Sequence, residues 1–313
     1  MLNKSYFIER SCPCCFSGDS HADKVVTSPV RSENLSMENL EECWTGFFKE
    51  KSFFTYIQCP HCKLLYTQIN FSPIELARLY ANLPENMSTV PPNALAATQN
   101  GYFKRLQKWT KLLGGDYLEI GPDSGLFLTN CVQFQDYSKY WLFEPNENVI
   151  PALNNVLQNQ EKKIYADIGQ IDEVPDSSVQ TAVAVHVLDH LLDPLGSLKQ
   201  LRKKMKATGH LLIVTHDETS ILSKIFGWKW PAYCLQHPQL FNFKTTKTIL
   251  LNAGFEVLEQ AKTVNYFEIG FLLKHFFWAI GLRKIQIPDL AVFRVILPLK
   301  LGNIITIATP AKE

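Results

Sequence analysis

The spacing of apolar residues changes along this chain and predicts different structure in different stretches. From residue 116 onward, short apolar runs alternate with helical stripes. Asp116-Tyr-Leu-Glu-Ile120, Tyr140-Trp-Leu-Phe143, Lys163-Ile-Tyr165, Thr181-Ala-Val-Ala-Val185 and residues 210–215 read as strands. The fourth is apolar at every position, as a strand buried on both faces should be. Between them, residues 148–157 read as a helix, and residues 195–205 as another. The second has Leu195, Leu198, Leu201 and Met205 on one face, with Lys199, Arg202, Lys203 and Lys206 outside it. A helix over 245–252 closed by Gly254, a strand over 255–259 and a last strand over 304–309 complete the pattern. Strands alternating with helices of this length predict an α/β fold with a doubly wound, mostly parallel, Rossmann-like sheet.

Two stretches interrupt this pattern. Residues 219–243 are dense in aromatics (Phe226, Trp228, Trp230, Tyr233, Phe241, Phe243) and poor in charge. Residues 265–302 include an apolar helix candidate over 267–282. Aromatic insertions at the carboxyl edge of such a sheet cover a ligand crevice or pack outside it as an accessory core. Upstream, Ser72 followed by Pro73 and Glu75 predicts a short capped helix over 72–80. Residues 82–100, rich in Pro, Asn and Thr and without period, read as a linker, and residues 102–113 as a helix leading into the first strand. The division expected is a zinc-binding domain over 1–70, a helical bridge over 71–115 and a main domain over 116–313.

Composition narrows the classes. The chain has 313 residues, a formal net charge of +1, 46% hydrophobic and 19% charged residues, ordinary for a globular protein. No bulk field argues for nucleic acid as a partner. The amino terminus has no apolar core of a signal peptide, and no apolar run is long enough to span a membrane, so a cytosolic protein is expected. There, paired cysteines are more apt to hold metal than to form disulfides. Four of the eight cysteines form two C-x-x-C pairs, Cys12/Cys15 and Cys59/Cys62. Two such pairs supply four thiolates to one tetrahedral structural Zn²⁺, and the residues between must fold back to close the site. Cys14 and His61 are spare donors.

The stretch Leu118-Glu-Ile-Gly-Pro-Asp-Ser-Gly-Leu-Phe-Leu128 is a strand, a tight turn and a helix start. Its glycines, Gly121 and Gly125, are spaced G-x-x-x-G. A pyrophosphate cradle needs a glycine two residues after the first, where Asp123 stands, so a dinucleotide dehydrogenase is disfavoured.

With these pieces in order the chain resembles the class I S-adenosylmethionine-dependent methyltransferases, especially bacterial small-molecule and sugar methyltransferases with an amino-terminal zinc-binding domain. The resemblance rests on Cys59-Pro-His-Cys-Lys-Leu-Leu-Tyr66, residues 118–128, Phe143-Glu-Pro145, Val185-His-Val-Leu-Asp-His190 with Asp193-Pro194, and residues 237–243 leading to Ala253-Gly-Phe255. It implies that Glu119, Gly121, Asp123 and Gly125 form the turn around the cofactor's methionine part, and that Glu144 accepts hydrogen bonds from both ribose hydroxyls. It further implies that Asp167 and Ile168 meet the adenine, and that His186 lies beside the methionine arm. The chain departs from the family at Pro122-Asp123, where Gly-Cys-Gly is usual, and at Lys63, where a glycine is common.

Methyl transfer from a sulfonium is an in-line displacement that chiefly needs alignment and exclusion of water. A hydroxyl or carbon-acid acceptor also needs a base, for which His216, His237 and Tyr233 are the candidates; His190 is expected to cap or orient the helix that follows it. The expected activity is methylation of a small polar metabolite, with a nucleotide-linked sugar or glycan precursor as first choice. The alternative is a cofactor-binding, non-catalytic partner subunit. Either a monomer or a homodimer is compatible with the sequence.

Overall fold

The computed structural model describes residues 6–18, 24–44, 52–81, 90–110, 114–279, 282, 285–288 and 290–312. Seven strands form the central sheet: β1 (Asp116–Ile120), β2 (Tyr140–Phe143), β3 (Lys162–Tyr165), β4 (Val179–Val185), β5 (Met205–His216), β6 (Phe255–Lys262) and β7 (Asn303–Pro310). Their spatial order is β3-β2-β1-β4-β5-β7-β6. The first five run parallel, and β7 lies antiparallel between β5 and β6. The order reverses between β1 and β4, and the crevice beyond the carboxyl ends of these strands is where such sheets bind ligands.

Side-chain alternation explains why the sheet is covered on both faces. Leu118, Ile120, Trp141, Phe143, Ala182, Ala184, Leu211 and Ile213 share one buried cluster with Leu195, Leu198 and Leu201 of the helix Pro194–Lys204 and Ile249 of the helix Phe243–Asn252. Tyr117, Tyr140, Leu142, Val183, Leu212 and Val214 form the opposite cluster with Phe127, Leu128, Leu153 and Leu157 of the helices Leu126–Phe134 and Ile150–Leu157. Successive strand residues go to opposite faces, so an unbroken apolar run is what a doubly covered strand requires.

The amino-terminal part builds its own small sheet and borrows a strand from the aromatic insertion. Val25–Val26, Tyr56–Gln58, Leu65–Thr67 and Gln239–Leu240 pair antiparallel in a four-stranded sheet. Trp230 and Tyr233 of the insertion sit in one cluster with Phe53, Tyr56, Leu65 and Leu240. Of the two sequence alternatives for the insertion, the accessory core is the one seen. Its aromatics form an accessory core, and its last residues return to the sheet edge, where Asp217 bridges Phe241.

Two expectations need correction. Residues 92–100 are helical, part of a helix Pro92–Gln107 that also takes in the first half of the predicted 102–113 segment; residues 82–89 and 111–113 lie outside the described residues. The Asn- and Thr-rich composition argued for a loop, but Ala94, Thr98, Tyr102 and Leu106 are buried along one side. Thr98 Oγ1 accepts from the Tyr266 backbone N–H at 2.8 Å, and Asn265 Nδ2 donates to the Tyr102 hydroxyl at 2.7 Å. Tertiary packing outweighs a propensity difference of a few tenths of a kcal/mol per residue, on the order of the whole scale. Second, residues 265–268 belong to a strand, Asn265–Glu268, paired antiparallel with Ile296–Leu299, and the apolar helix starts at Ile269.

Candidate functional site

The turn after β1 is tightly constrained. Gly121, Asp123 and Gly125 all have positive φ (65°, 50° and 79°). A Cβ on Gly121 would lie 2.7 Å from Val187 Cγ2, so the turn passes directly against the segment that leaves β4. Gly125 N–H donates to the Pro122 carbonyl at 2.9 Å and precedes the first turn of the helix Leu126–Phe134. Aspartate tolerates the left-handed region better than most residues, which is how Asp123 is accommodated.

Glu144 ends β2 as expected, and its carboxylate reaches back to this turn. Oε2 accepts from Asp123 N–H and Oε1 from Asn146 N–H, both at 2.9 Å. Burial pushes its carboxyl up, and the two N–H donors oppose that. Glu119, inside β1, is fully buried and accepts from the Tyr117 hydroxyl at 2.6 Å. Burial, opposed by that bond and reinforced by Glu144, raises it to about 8. At the end of β3, Asp167 is exposed and accepts from Gly169 N–H at 2.8 Å, and Ile168 is half-buried against the core.

Beyond the ends of β4 and β5 four imidazoles stand in a row. The His186 and His216 ring centroids are 4.7 Å apart, His216 and His237 4.7 Å, and His237 and His190 4.5 Å. His186 has a left-handed backbone, φ 53°, and its Nε2 lies 3.4 Å from Asn303 Nδ2 of β7. Asp189, wholly buried, accepts at Oδ2 from the His216 backbone N–H at 3.1 Å and faces His216 Nδ1 at 3.0 Å. His237 Nδ1 lies 2.7 Å from the Ala232 carbonyl; it must donate there, which puts the lone pair of the neutral ring on Nε2, and the ring also bonds the Cys234 side chain. His190 Nδ1 meets the Tyr80 hydroxyl at 2.8 Å, and the helix that follows is capped instead by Asp193, whose Oδ1 accepts from Gly196 N–H.

Burial drives His186 and His190 well below the usual histidine range, and adjacent rings add to this. His216 is also lowered by burial, against the pull of Asp189. Burial lowers His237 too, but Cys234, Asp189 and the Ala232 carbonyl outweigh it and raise the ring to about 9. Among the four rings His237 alone is raised above the usual histidine range.

Of the three base candidates, the structure brings His216 and His237 together. Tyr233 packs one ring further out, 5.5 Å from Phe53 and 5.3 Å from Trp230, whose own ring lies 6.2 Å from His216, and burial pushes its phenol up. Asp189, Tyr80 and Asn303 escaped the sequence reading as site residues. Asp189 was detectable in principle, three residues after His186; Tyr80 and Asn303 arrive from distant segments and carry no local signal.

The four paired cysteines also converge. Sγ atoms of Cys12, Cys15, Cys59 and Cys62 lie within 4.8 Å of one another, with Cys12–Cys62 at 3.4 Å and Cys15–Cys59 at 3.6 Å. Thiolates about 2.3 Å from a tetrahedral ion are roughly 3.8 Å apart, so the cage fits Zn²⁺ with little movement. Hydrogen bonding to Cys62 and burial push Cys12 and Cys14 up, while bonds from Cys12 and Cys14 lower Cys62. Lys63 follows with φ 66°, the conformation for which a glycine is common at that place.

Comparison with known proteins agrees with this geometry. Residues 95–260, a little over half of the chain, match a family model described as a methyltransferase domain. The chain belongs to that family. Similar solved structures include an S-adenosylmethionine-dependent methyltransferase from Mesorhizobium loti (13% identity, 67% of this chain and 99% of that one, TM-score 0.47). Another is an S-adenosylmethionine-dependent methyltransferase from Leishmania major (11% identity, 74% and 80%, TM-score 0.48). A third is the mitomycin 7-O-methyltransferase MmcR (13% identity, 69% and 54%, TM-score 0.46). Membership rests on the family match and not on these distant likenesses. No curated protein matches the chain.

Proposed function

We propose that the chain transfers a methyl group from S-adenosylmethionine to a small polar metabolite, with a nucleotide-linked sugar or glycan precursor as first choice. The observation that carries this reading is the adjacency of two chemistries. The Glu144–Asp123 turn, shaped for a nucleoside without pyrophosphate, abuts through Gly121 and Val187 the segment that bears His186. In this reading Glu144 turns its oxygens to the ribose hydroxyls, Asp167 and Ile168 meet the adenine, and Glu119, Gly121, Gly125 and His186 line the methionine part. When bound, the cofactor supplies an activated methyl group. The chain aligns the acceptor, excludes water and removes a proton.

His237 is the proposed proton acceptor. The Ala232 carbonyl orients its ring, and in the neutral form the lone pair is on Nε2, the atom from which a general base would accept a proton. Tyr233 supports the insertion that carries it. The thiol cage is proposed to hold a structural Zn²⁺ that keeps the amino-terminal sheet, and hence the borrowed strand Gln239–Leu240, in place. The domain division 1–70, 71–115 and 116–313 follows the same logic.

Titration calorimetry with S-adenosylmethionine tests the first half. Glu144→Gln is expected to weaken binding by roughly 10–100-fold, the worth of one or two charged hydrogen bonds. Absence of binding by the unaltered chain at millimolar cofactor would overturn the reading. Tight binding with no methyl transfer across a panel of sugar nucleotides and other metabolites would favour the non-catalytic subunit.

A further inference from the structure

Asp189 presents a problem that the proton-transfer reading leaves unsolved. Its carboxylate is fully buried, and only Oδ2 has a partner; Oδ1 is inaccessible and without a hydrogen bond among the described residues. Leaving a buried carboxylate oxygen unsatisfied costs about 1–3 kcal/mol or more, so such an atom calls for an explanation. His186 Nδ1, on the adjoining ring, is likewise buried without a partner. One ligand atom each from His186, Asp189 and His216 lies within 4.8 Å of the other two. Donors about 2.1 Å from a metal ion are at most roughly 4.2 Å apart, so the three need draw in by only a fraction of an ångström.

We propose that His186, Asp189 and His216 form a second metal site, separate from the thiol cage, which takes a divalent first-row transition ion. Two imidazoles and one carboxylate are donors of intermediate softness. They suit Zn²⁺, Co²⁺, Fe²⁺ or Mn²⁺ better than Ca²⁺ or Mg²⁺, which prefer all-oxygen shells. The surroundings have the character of outer-shell support. Asp189 Oδ2 is anchored by the His216 backbone N–H, and His186 is aimed by a left-handed backbone between the Val214 carbonyl, which accepts its N–H at 2.9 Å, and Asn303. His237 stands one ring away, 4.7 Å from His216, and three protein donors would leave a tetrahedral ion one further coordination position.

The ion's role rests on the methyl-transfer reading. Held by His186, Asp189 and His216, the ion would make an acceptor hydroxyl more acidic; His237 would take the proton, and the oxygen would attack the sulfonium methyl carbon. The carbon–sulfur pair returns to sulfur, leaving a neutral thioether, so charge and electrons balance with no redox partner. The site itself does not depend on that role.

Metal content decides the matter without reference to activity. The full chain, stripped by chelator and reloaded with Co²⁺, is expected to hold two ions. One would show the intense thiolate-to-cobalt charge-transfer band of the cysteine cage, the other only weak d–d bands. His186→Gln and Asp189→Asn should each lose one ion per chain and keep the charge-transfer band, which also reports that the cage has folded. If Asp189→Asn does not fold, His186→Gln alone decides. A single thiolate-bound ion in the unaltered chain, or an unchanged count in a folded His186→Gln, would overturn the proposal. Cofactor titration on the same samples separates the two readings, because failure to bind S-adenosylmethionine sinks methyl transfer and leaves the ion count as it is.

Discussion

Single residues in this protein carry opposing demands, and Glu119 is the clearest case. Its folded value of about 8 lies above the ordinary carboxylate value of 4.5, so the folded state holds a proton that the unfolded chain has released. Stability from this group is therefore present in full below pH 4.5 and is lost as pH rises towards 8. Glu119→Gln keeps an acceptor for the Tyr117 hydroxyl and removes the titration. Denaturant unfolding should show a stability gain for the variant that grows from pH 5 and levels above pH 8; a pH-independent difference would contradict this. Gly121 is constrained by sterics instead. Gly121→Ala places a methyl 2.7 Å from Val187 Cγ2 at φ 65°, and should cost about 2 kcal/mol or more in unfolding free energy. The glycine spacing made this position legible from sequence, whereas the contact with Val187 comes from the segment after β4, about 65 residues further on.

At the scale of elements, the aromatic insertion links the sheet to the amino-terminal part. Asn242 caps the helix Phe243–Asn252. Its Oδ1 accepts from Thr245 N–H at 3.0 Å, Thr245 Oγ1 accepts from Asn242 N–H at 2.8 Å, and Asn242 Nδ2 donates to buried Glu218 at 2.9 Å. Glu218 in turn pairs with Lys24 at 2.7 Å. Losing both cap and network, Asn242→Ala should be destabilised by about 2 kcal/mol, more than an isolated cap, as thermal unfolding would show. Arg10 makes a second link, donating to the Leu192 carbonyl at 2.8 Å and Gln239 Oε1 at 2.9 Å, while Gln239 Nε2 donates to Leu188 and Leu191 at 2.7 Å. Apart from the Asn242–Thr245 cap, none of these partners is visible in a local window, because each joins segments far apart in the chain.

Across the whole molecule, the thiol cage and the histidine row are mechanically connected. The cage organises the hairpin of Tyr56–Gln58 and Leu65–Thr67, the hairpin pairs with Gln239–Leu240, and the Tyr56 hydroxyl holds the His237 carbonyl at 2.5 Å. Cys59→Ser is thus expected to lower both melting temperature and methyl transfer, although Cys59 follows a strand of the other sheet; normal turnover in a zinc-free variant would break this link. The histidine row also makes a prediction about pH. With His237 as the base, initial rate in saturating cofactor should rise with pH and level above about 9, and His237→Gln should remove that limb. A plateau already reached below pH 6.5 would rule out His237 as the base.

By itself the sequence determined the α/β alternation, the turn after β1, the strand-end Glu144 and the two matched cysteine pairs. Each of these is written in a short window, by side-chain period, by glycine at a constrained turn, or by ligand spacing. Tertiary structure alone decided that residues 92–100 are helical, that 265–268 pair as a strand, and that the aromatic insertion completes another sheet. It also decided which histidines meet. His186, His190, His216 and His237 span about fifty residues, and only the parallel pairing of β4 with β5, and the return of the insertion to their carboxyl ends, sets them beside Asp189. Local pattern records the period of burial, whereas a site assembled from several strand ends depends on register and packing between distant segments.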